Sequence, residues 1–280
     1  MPELPEVETV RRSLLSLVRG KRIMRVELTE PRIIRHCDPA RIRTGVTGRL
    51  ILGIDRRGKF LLFQLTGELT LVVHLGMSGK LYYLAAEPTA GFPKHTHAIF
   101  ELDDGGLLVY QDPRQFGRIC LTESPETAVA ALRSMGPEPL DRQFSVSWLT
   151  AALARRSAKL KTVMLDQKIF AGIGNIYADE ALFRARLHPE RAAASLAPEE
   201  VKRLHRAVRA VLRRAIANRG TSISDYVDGH GVPGDFQAQL QVYGRRGEAC
   251  RRCGNPVQWV RLAGRSSFYC GCCQQEENKR

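Results

Sequence analysis

Gly136-Pro137-Glu138-Pro139 is the stretch that decides the fold, because the periodicity of the chain changes across it. A glycine followed by two closely spaced prolines extends neither a helix nor a strand ladder. Upstream, short apolar runs at 50–54, 60–65, 69–75, 98–102 and 107–110 are separated by turn residues. Asp103-Asp104-Gly105-Gly106 reads as a hairpin turn between the last two. Strands at this spacing predict an antiparallel sandwich or barrel. Ahead of them, residues 5–18 predict a helix: Pro5 suits the first turn, Glu6 and Glu8 suit the positive end of the dipole, and Gly20 suits the exit. Its buried stripe is Val7, Val10, Leu14 and Leu17. Downstream the pattern turns helical, with Val201, Leu204, Val208, Val211, Leu212 and Ala215 on one face. Arg203, Arg206, Arg209, Arg213 and Arg214 cover much of the rest, as a solvated face would. The domain boundary is expected near 134–142.

The 280 residues suffice for two domains, and the formal net charge is +14. The charge is uneven, +3 over residues 1–150 and +11 over 151–280. Such a surface suits an acidic polymer, nucleic acid before anionic membrane. No apolar run reaches the roughly 18 residues that span a bilayer, and the start Met1-Pro2-Glu3 has no signal-peptide pattern. A soluble cytosolic protein without membrane partners is expected.

Five of the seven cysteines fall within residues 250–273. Cys250-x2-Cys253 and Cys270-x2-Cys273 have the spacing of two zinc knuckles joined by a hairpin. Four thiolates close a tetrahedral site, so one structural Zn²⁺ per chain is expected. Cys273 is favoured over Cys272 because it keeps the two-residue spacing. Cys37 and Cys120 read as small buried apolar residues. Arg265 lies near the hairpin tip, where it suits either a phosphate contact or a solvated surface position.

The chain start carries chemistry of its own. With Met1 removed, Pro2 is a free secondary amine, for which a terminal pKa of about 7.7–8.0 leaves a useful neutral fraction. The following helix disfavours the ammonium form further, and Glu3 puts a carboxylate beside it.

Met1-Pro2-Glu3-Leu4-Pro5-Glu6-Val7-Glu8-Thr9 resembles the start of bacterial formamidopyrimidine-DNA glycosylases. Four further segments resemble that family in order: His74-Leu75-Gly76-Met77-Ser78-Gly79, Asp112-Pro113-Arg114-Gln115-Phe116-Gly117, Gly172-Ile173-Gly174-Asn175-Ile176-Tyr177-Ala178, and Gln241-Val242-Tyr243-Gly244-Arg245 leading into the cysteines. The resemblance implies an α+β multidomain fold. It has an N-terminal helix and catalytic β-sandwich (1–135), a helix-two-turn-helix DNA-binding domain (140–235) and a β-hairpin zinc finger (240–275). It implies a monomeric enzyme that excises oxidised purines from damaged double-stranded DNA and then cleaves the strand by β,δ-elimination.

By the same resemblance, Pro2 attacks the sugar C1′, Glu3 protonates the sugar ring oxygen, and Lys59 belongs to the catalytic set. Glu6 is a supporting residue. Lys59, His74, Asn175 and Arg265 hold phosphates around the extruded nucleotide. Met77, Arg114 and Phe116 fill the void it leaves. Residues 219–236 match a mobile loop that closes over the damaged base. Ser78 is left open, since some relatives carry a larger polar residue there that contacts the base. Three other readings share parts of this pattern: a Nei-like glycosylase for oxidised pyrimidines, a non-catalytic zinc-ribbon DNA-binding protein, and an RNA-binding module of the translation machinery. Leu4 favours the formamidopyrimidine branch over the Nei-like one.

Overall fold

Helix α1 (Leu4–Val18) starts where its residues allow: Glu3 and Glu6 form a reciprocal capping box, with Pro5 in the first turn. Its buried face is Leu4, Val7, Val10, Leu14 and Val18. Val18, four residues after Leu14, takes the buried place expected of Leu17, and Leu17 packs half-buried beside the core.

The face of α1 packs into a sandwich of two four-stranded antiparallel sheets, as expected. One has the order β1 (Ile23–Leu28), β6 (Thr96–Leu102), β7 (Leu107–Gln111), β5 (Lys80–Leu84). The other runs β2 (Ile51–Arg57), β3 (Phe60–Leu65), β4 (Leu69–His74), β8 (Arg118–Thr122). Ile54, Leu61, Phe63, Leu71, Val73, Leu81, Phe100, Leu108 and Tyr110 close a common core with Val7, Val10 and Leu14. Each such side chain contributes roughly 1.5–3 kcal/mol on burial. Asp104 holds the hairpin between β6 and β7 by accepting the Gly106 amide at 3.1 Å. Strands β1, β5 and β8 and helix α2 (Pro39–Val46) are among the elements that the sequence patterns did not mark. A register shift between Ile23 and Arg25 breaks the alternation of β1. Strands β5 and β8 span only five residues each.

The structure describes residues 1–276, in a computed structural model. Two compact units divide it: Met1–Ser134 with Asn218–Gln237, and Met135–Ala217 with the chain from Ala238 onward. The short helices α3 (Pro125–Ala128) and α4 (Ala130–Arg133) end the first stretch. Residues 218–237 belong to the first unit. They pack with α1: Glu6 accepts the Thr221 amide, and Ser13 Oγ accepts the Gly229 amide at 2.8 Å.

The second unit contains α5 (Val146–Ala154), α6 (Leu160–Met164), α7 (Asn175–Ala185), α8 (Pro198–Ala217) and the hairpin β9 (Gln258–Leu262)–β10 (Arg265–Tyr269). The buried positions of α8 include every residue of the apolar face read from the sequence. Its arginines are not merely solvated. Arg209 donates to the carbonyls of Pro139, Leu140 and Asp141 at 2.8–2.9 Å and so fixes the chain beside the stretch that divides the fold. Among the described residues, no helix is long and apolar enough to cross a membrane.

Candidate active site and zinc finger

In the first unit, the chain start lies in a charged, partly desolvated setting. Pro2 is buried and Glu3 is 2% exposed. Burial holds the terminal amine of Met1 below its ordinary pKa, and the Lys59 and Arg114 cations act in the same direction, against Glu3 and Glu6. Glu6 Oε2 accepts the Glu3 amide at 2.8 Å, and Glu6 Oε1 accepts the Thr221 amide at 2.7 Å. The Tyr226 hydroxyl donates to the Glu6 carbonyl at 3.3 Å. One glutamate thus joins the residue next to Pro2 to the 218–237 segment.

Lys59 is buried and follows Gly58, which takes φ +54 in the turn between β2 and β3. That turn is tied to α1 by an arginine. Arg56 Nη1 donates to the Gly58 carbonyl at 3.0 Å, while its Nε donates to Glu8 at 3.1 Å. Glu8 also takes hydrogen bonds from Arg11 and Arg12. Burial opposes its charge, yet these guanidinium groups hold its pKa down at about 2.

His74 ends β4 and packs its ring at a tilt against Phe60, with centroids 4.6 Å apart. Burial, with Lys59 and Arg118 nearby, pushes its pKa down to about 4, so the ring is neutral at physiological pH. Its Nδ1 accepts the Gly76 amide at 3.1 Å, which leaves the proton on Nε2 as a donor. Beyond it Met77 is 43% and Phe116 53% exposed, and the Arg114 guanidinium lies 4.9 Å over the Phe116 ring.

In the second unit, Asn175 opens α7 behind Gly174 and donates from Nδ2 to the Ser266 carbonyl at 2.8 Å. Its Oδ1 is buried without a hydrogen-bond partner. Arg265, at the start of β10, is exposed directly after Ala263 and Gly264 at φ +47 and +76. Asn175 and the finger arginine, 90 positions apart in sequence, are therefore brought to one place.

The sulfurs of Cys250, Cys253, Cys270 and Cys273 lie within 4.8 Å of one another. Cys250 and Cys273 are 4.0 Å apart, and Cys253 and Cys270 are 3.5 Å apart. Tetrahedral zinc with Zn–S bonds of about 2.3 Å requires sulfurs roughly 3.8 Å apart, so the set fits Zn²⁺. The Arg252 amide and the Asn255 side chain point at Cys250 and Cys253 Sγ, as partners of bound thiolates do. Four protein ligands leave no open position, and the metal is structural. Cys272 is exposed and outside the group.

Two adjacent carboxylates of α7 hold this finger, and the sequence reading missed both. Glu180 accepts the amides of Gln241, Val242 and Tyr243 at 2.9–3.0 Å, and Asp179 accepts the Phe268 amide at 2.9 Å. Two acids side by side on an otherwise apolar helical stretch were the available signal.

These parts define a zinc-finger DNA glycosylase of base excision repair. Residues 1–119 match the formamidopyrimidine-DNA glycosylase N-terminal domain, 135–227 the helix-two-turn-helix domain of those enzymes, and 247–275 the zinc finger they share with isoleucyl-tRNA synthetases. The formamidopyrimidine-DNA glycosylase of Heliobacterium modesticaldum is 50% identical over 98% of this chain and 100% of its own length. That of Moorella thermoacetica is 51% identical over 93% and 95%. The crystal structure of Thermus thermophilus MutM (Fpg) superposes with a TM-score of 0.88 at 44% identity, covering 99% of this chain and 100% of that one. A Lactococcus lactis Fpg in complex with abasic-site DNA gives 0.91 at 37% identity, over 98% and 100%. The chain belongs to the formamidopyrimidine-DNA glycosylase family.

Proposed function

We propose that this protein binds damaged double-stranded DNA as a monomer, excises 8-oxoguanine and formamidopyrimidines, and cleaves the strand by β,δ-elimination. The observation that carries the reading is buried Pro2 beside buried Glu3, with the buried Lys59 cation close enough to act on the chain start. After loss of Met1, the Pro2 nitrogen is the nucleophile in that setting. The target nucleotide leaves the stack, because C1′ is inaccessible within the duplex. Pro2 nitrogen bonds to C1′ as the bond to the damaged base breaks. Glu3 delivers a proton to the ring oxygen as the sugar opens. A secondary amine gives an iminium cation, which accepts the electron pair released when C2′ loses a proton. The 3′ phosphate departs, and a second elimination releases the 5′ phosphate. Lys59 stabilises the phosphate charge beside this centre.

Lys59, His74, Asn175 and Arg265 are the phosphate contacts: two cations, one Nε2–H donor and one amide at a helix start. Met77, Arg114 and Phe116 fill the vacated stack. Their exposure supports this, since apolar side chains with a core role would be buried. Residues 219–236 close over the lesion. A cytosolic site of action on chromosomal DNA agrees with this substrate.

Borohydride trapping on a duplex containing 8-oxoguanine tests the reading. The expected result is a covalent adduct at Pro2 in the processed protein and none in protein retaining Met1 or an N-terminal tag, although both bind. Trapping or strand cleavage by a verified N-terminally blocked preparation overturns it.

A further inference from the structure

Met77 and Phe116 lie on two turns 39 positions apart, and a buried carboxylate joins those turns. Asp112 is 0% exposed. Its Oδ1 accepts the Ser78 hydroxyl at 2.6 Å, from the residue after Met77. Its Oδ2 accepts the Gly117 amide at 2.7 Å, from the residue after Phe116, and the Tyr110 hydroxyl at 3.2 Å. Ser78 Oγ in turn accepts the Arg114 amide at 3.2 Å. The main chain of Asp112 is fixed too: its amide donates to the His95 carbonyl at 2.9 Å, and its carbonyl faces His97 Nε2 at 3.0 Å. The two turns also touch directly. A Cβ on Gly76, which sits at φ +64, would strike the Phe116–Gly117 peptide, and one on Gly117 would strike the Tyr110 hydroxyl.

Exposed side chains on turns ordinarily sample many rotamers and backbone states, and ordering them on binding costs entropy. Here both turns stand on one buried polar base, the Asp112 carboxylate with its Ser78, Gly117 and Tyr110 donors. We propose that Asp112, acting through the Ser78 hydroxyl, is a positioning residue that makes Met77, Arg114 and Phe116 a single preformed wedge. This rests on the void-filling reading given above for those three side chains. It also assigns Ser78: at 6% exposure, with its hydroxyl engaged by Asp112 and the Arg114 amide, it organises the wedge and does not read the damaged base.

Single-turnover kinetics on matched duplexes carrying 8-oxoguanine or a preformed abasic site test the proposal. Ser78→Ala is the main variant, because it keeps the Asp112 bonds to Gly117 and Tyr110. Asp112→Asn is the second, since its amide nitrogen cannot accept. Ser78→Ala is expected to slow 8-oxoguanine excision roughly tenfold and abasic-site cleavage less than about twofold, because a small misplacement costs most where the base must still be extruded. In a Phe116→Ala background, Ser78→Ala should add less than about twofold, as residues acting through one another do. Equal slowing on both substrates, full additivity with Phe116→Ala, or no effect of either variant overturns the proposal. If Phe116→Ala itself slows both substrates equally, the wedge reading falls and takes the proposal with it. If Phe116→Ala is selective and Ser78→Ala is not, only the positioning role falls.

Discussion

Glu6 Oε1 accepts the Thr221 amide at 2.7 Å across 215 positions of sequence. The other oxygen of the same carboxylate accepts the Glu3 amide at 2.8 Å, so a residue readable as a plain helix-dipole partner holds two separate backbone segments. Glu6→Gln keeps the shape and replaces one acceptor with a donor, which leaves one buried amide facing an N–H. The expected cost is about 1–3 kcal/mol of local stability. Hydrogen exchange should show faster exchange at Thr221 and its neighbours in Glu6→Gln. Unchanged exchange there would mean the bond does not hold the segment.

The finger should depend on its metal. One zinc per chain is expected, and chelation should loosen the finger and weaken DNA binding, because the free energy of metal binding is part of the folding free energy of such a site. Cys272→Ser should retain zinc, and Cys273→Ser should lose it. Metal analysis of the two purified variants decides between them, and the opposite pattern would exchange their roles.

Arg265→Ala should weaken binding to damaged and undamaged duplexes alike and lower the slope of log K against log salt by about one, as loss of a single phosphate contact does. Titrations at several salt concentrations measure this. An effect confined to one lesion would make Arg265 a base-reading residue.

Glu8 predicts an acid limit. Its folded pKa of about 2 lies below the ordinary carboxylate value near 4.5, so its stabilising contribution is present above that value and is lost as pH falls toward 2. Unfolding midpoints measured between pH 5 and 2.5 should fall less steeply for Glu8→Gln than for the unaltered protein, with the variant less stable at pH 7. Parallel curves would show that Glu8 is not linked to folding.

Much of this was legible in the sequence because the signals were local. The Pro and Glu pattern marked α1, apolar runs bounded by turn residues marked β3 and β4, and the cysteine spacing marked the finger. What escaped has long-range causes. Glu8 reaching Arg56, Asp112 reaching Ser78, and Asp179 reaching Phe268 span 48, 34 and 89 positions, and no periodicity within one element encodes them. The 219–236 segment shows the same limit. Its Gly, Ser and Asp content identifies a loop, but its place in the first unit depends on Glu6 and Ser13, which the loop itself does not reveal.

That placement bears on how the protein is made. The first unit is discontinuous: its opening stretch ends at Ser134, and its last piece is Asn218–Gln237. At a synthesis rate of about 5–20 residues per second, the sandwich waits roughly 5–20 s for its final segment to follow α8 out of the ribosome. During that interval Glu6 has no Thr221 amide and Ser13 no Gly229 amide. A nascent chain halted before residue 218 therefore carries the amine, Glu3 and Lys59 without the segment that anchors to Glu6 and Ser13, and docking of that segment is the last event in maturation of the unit.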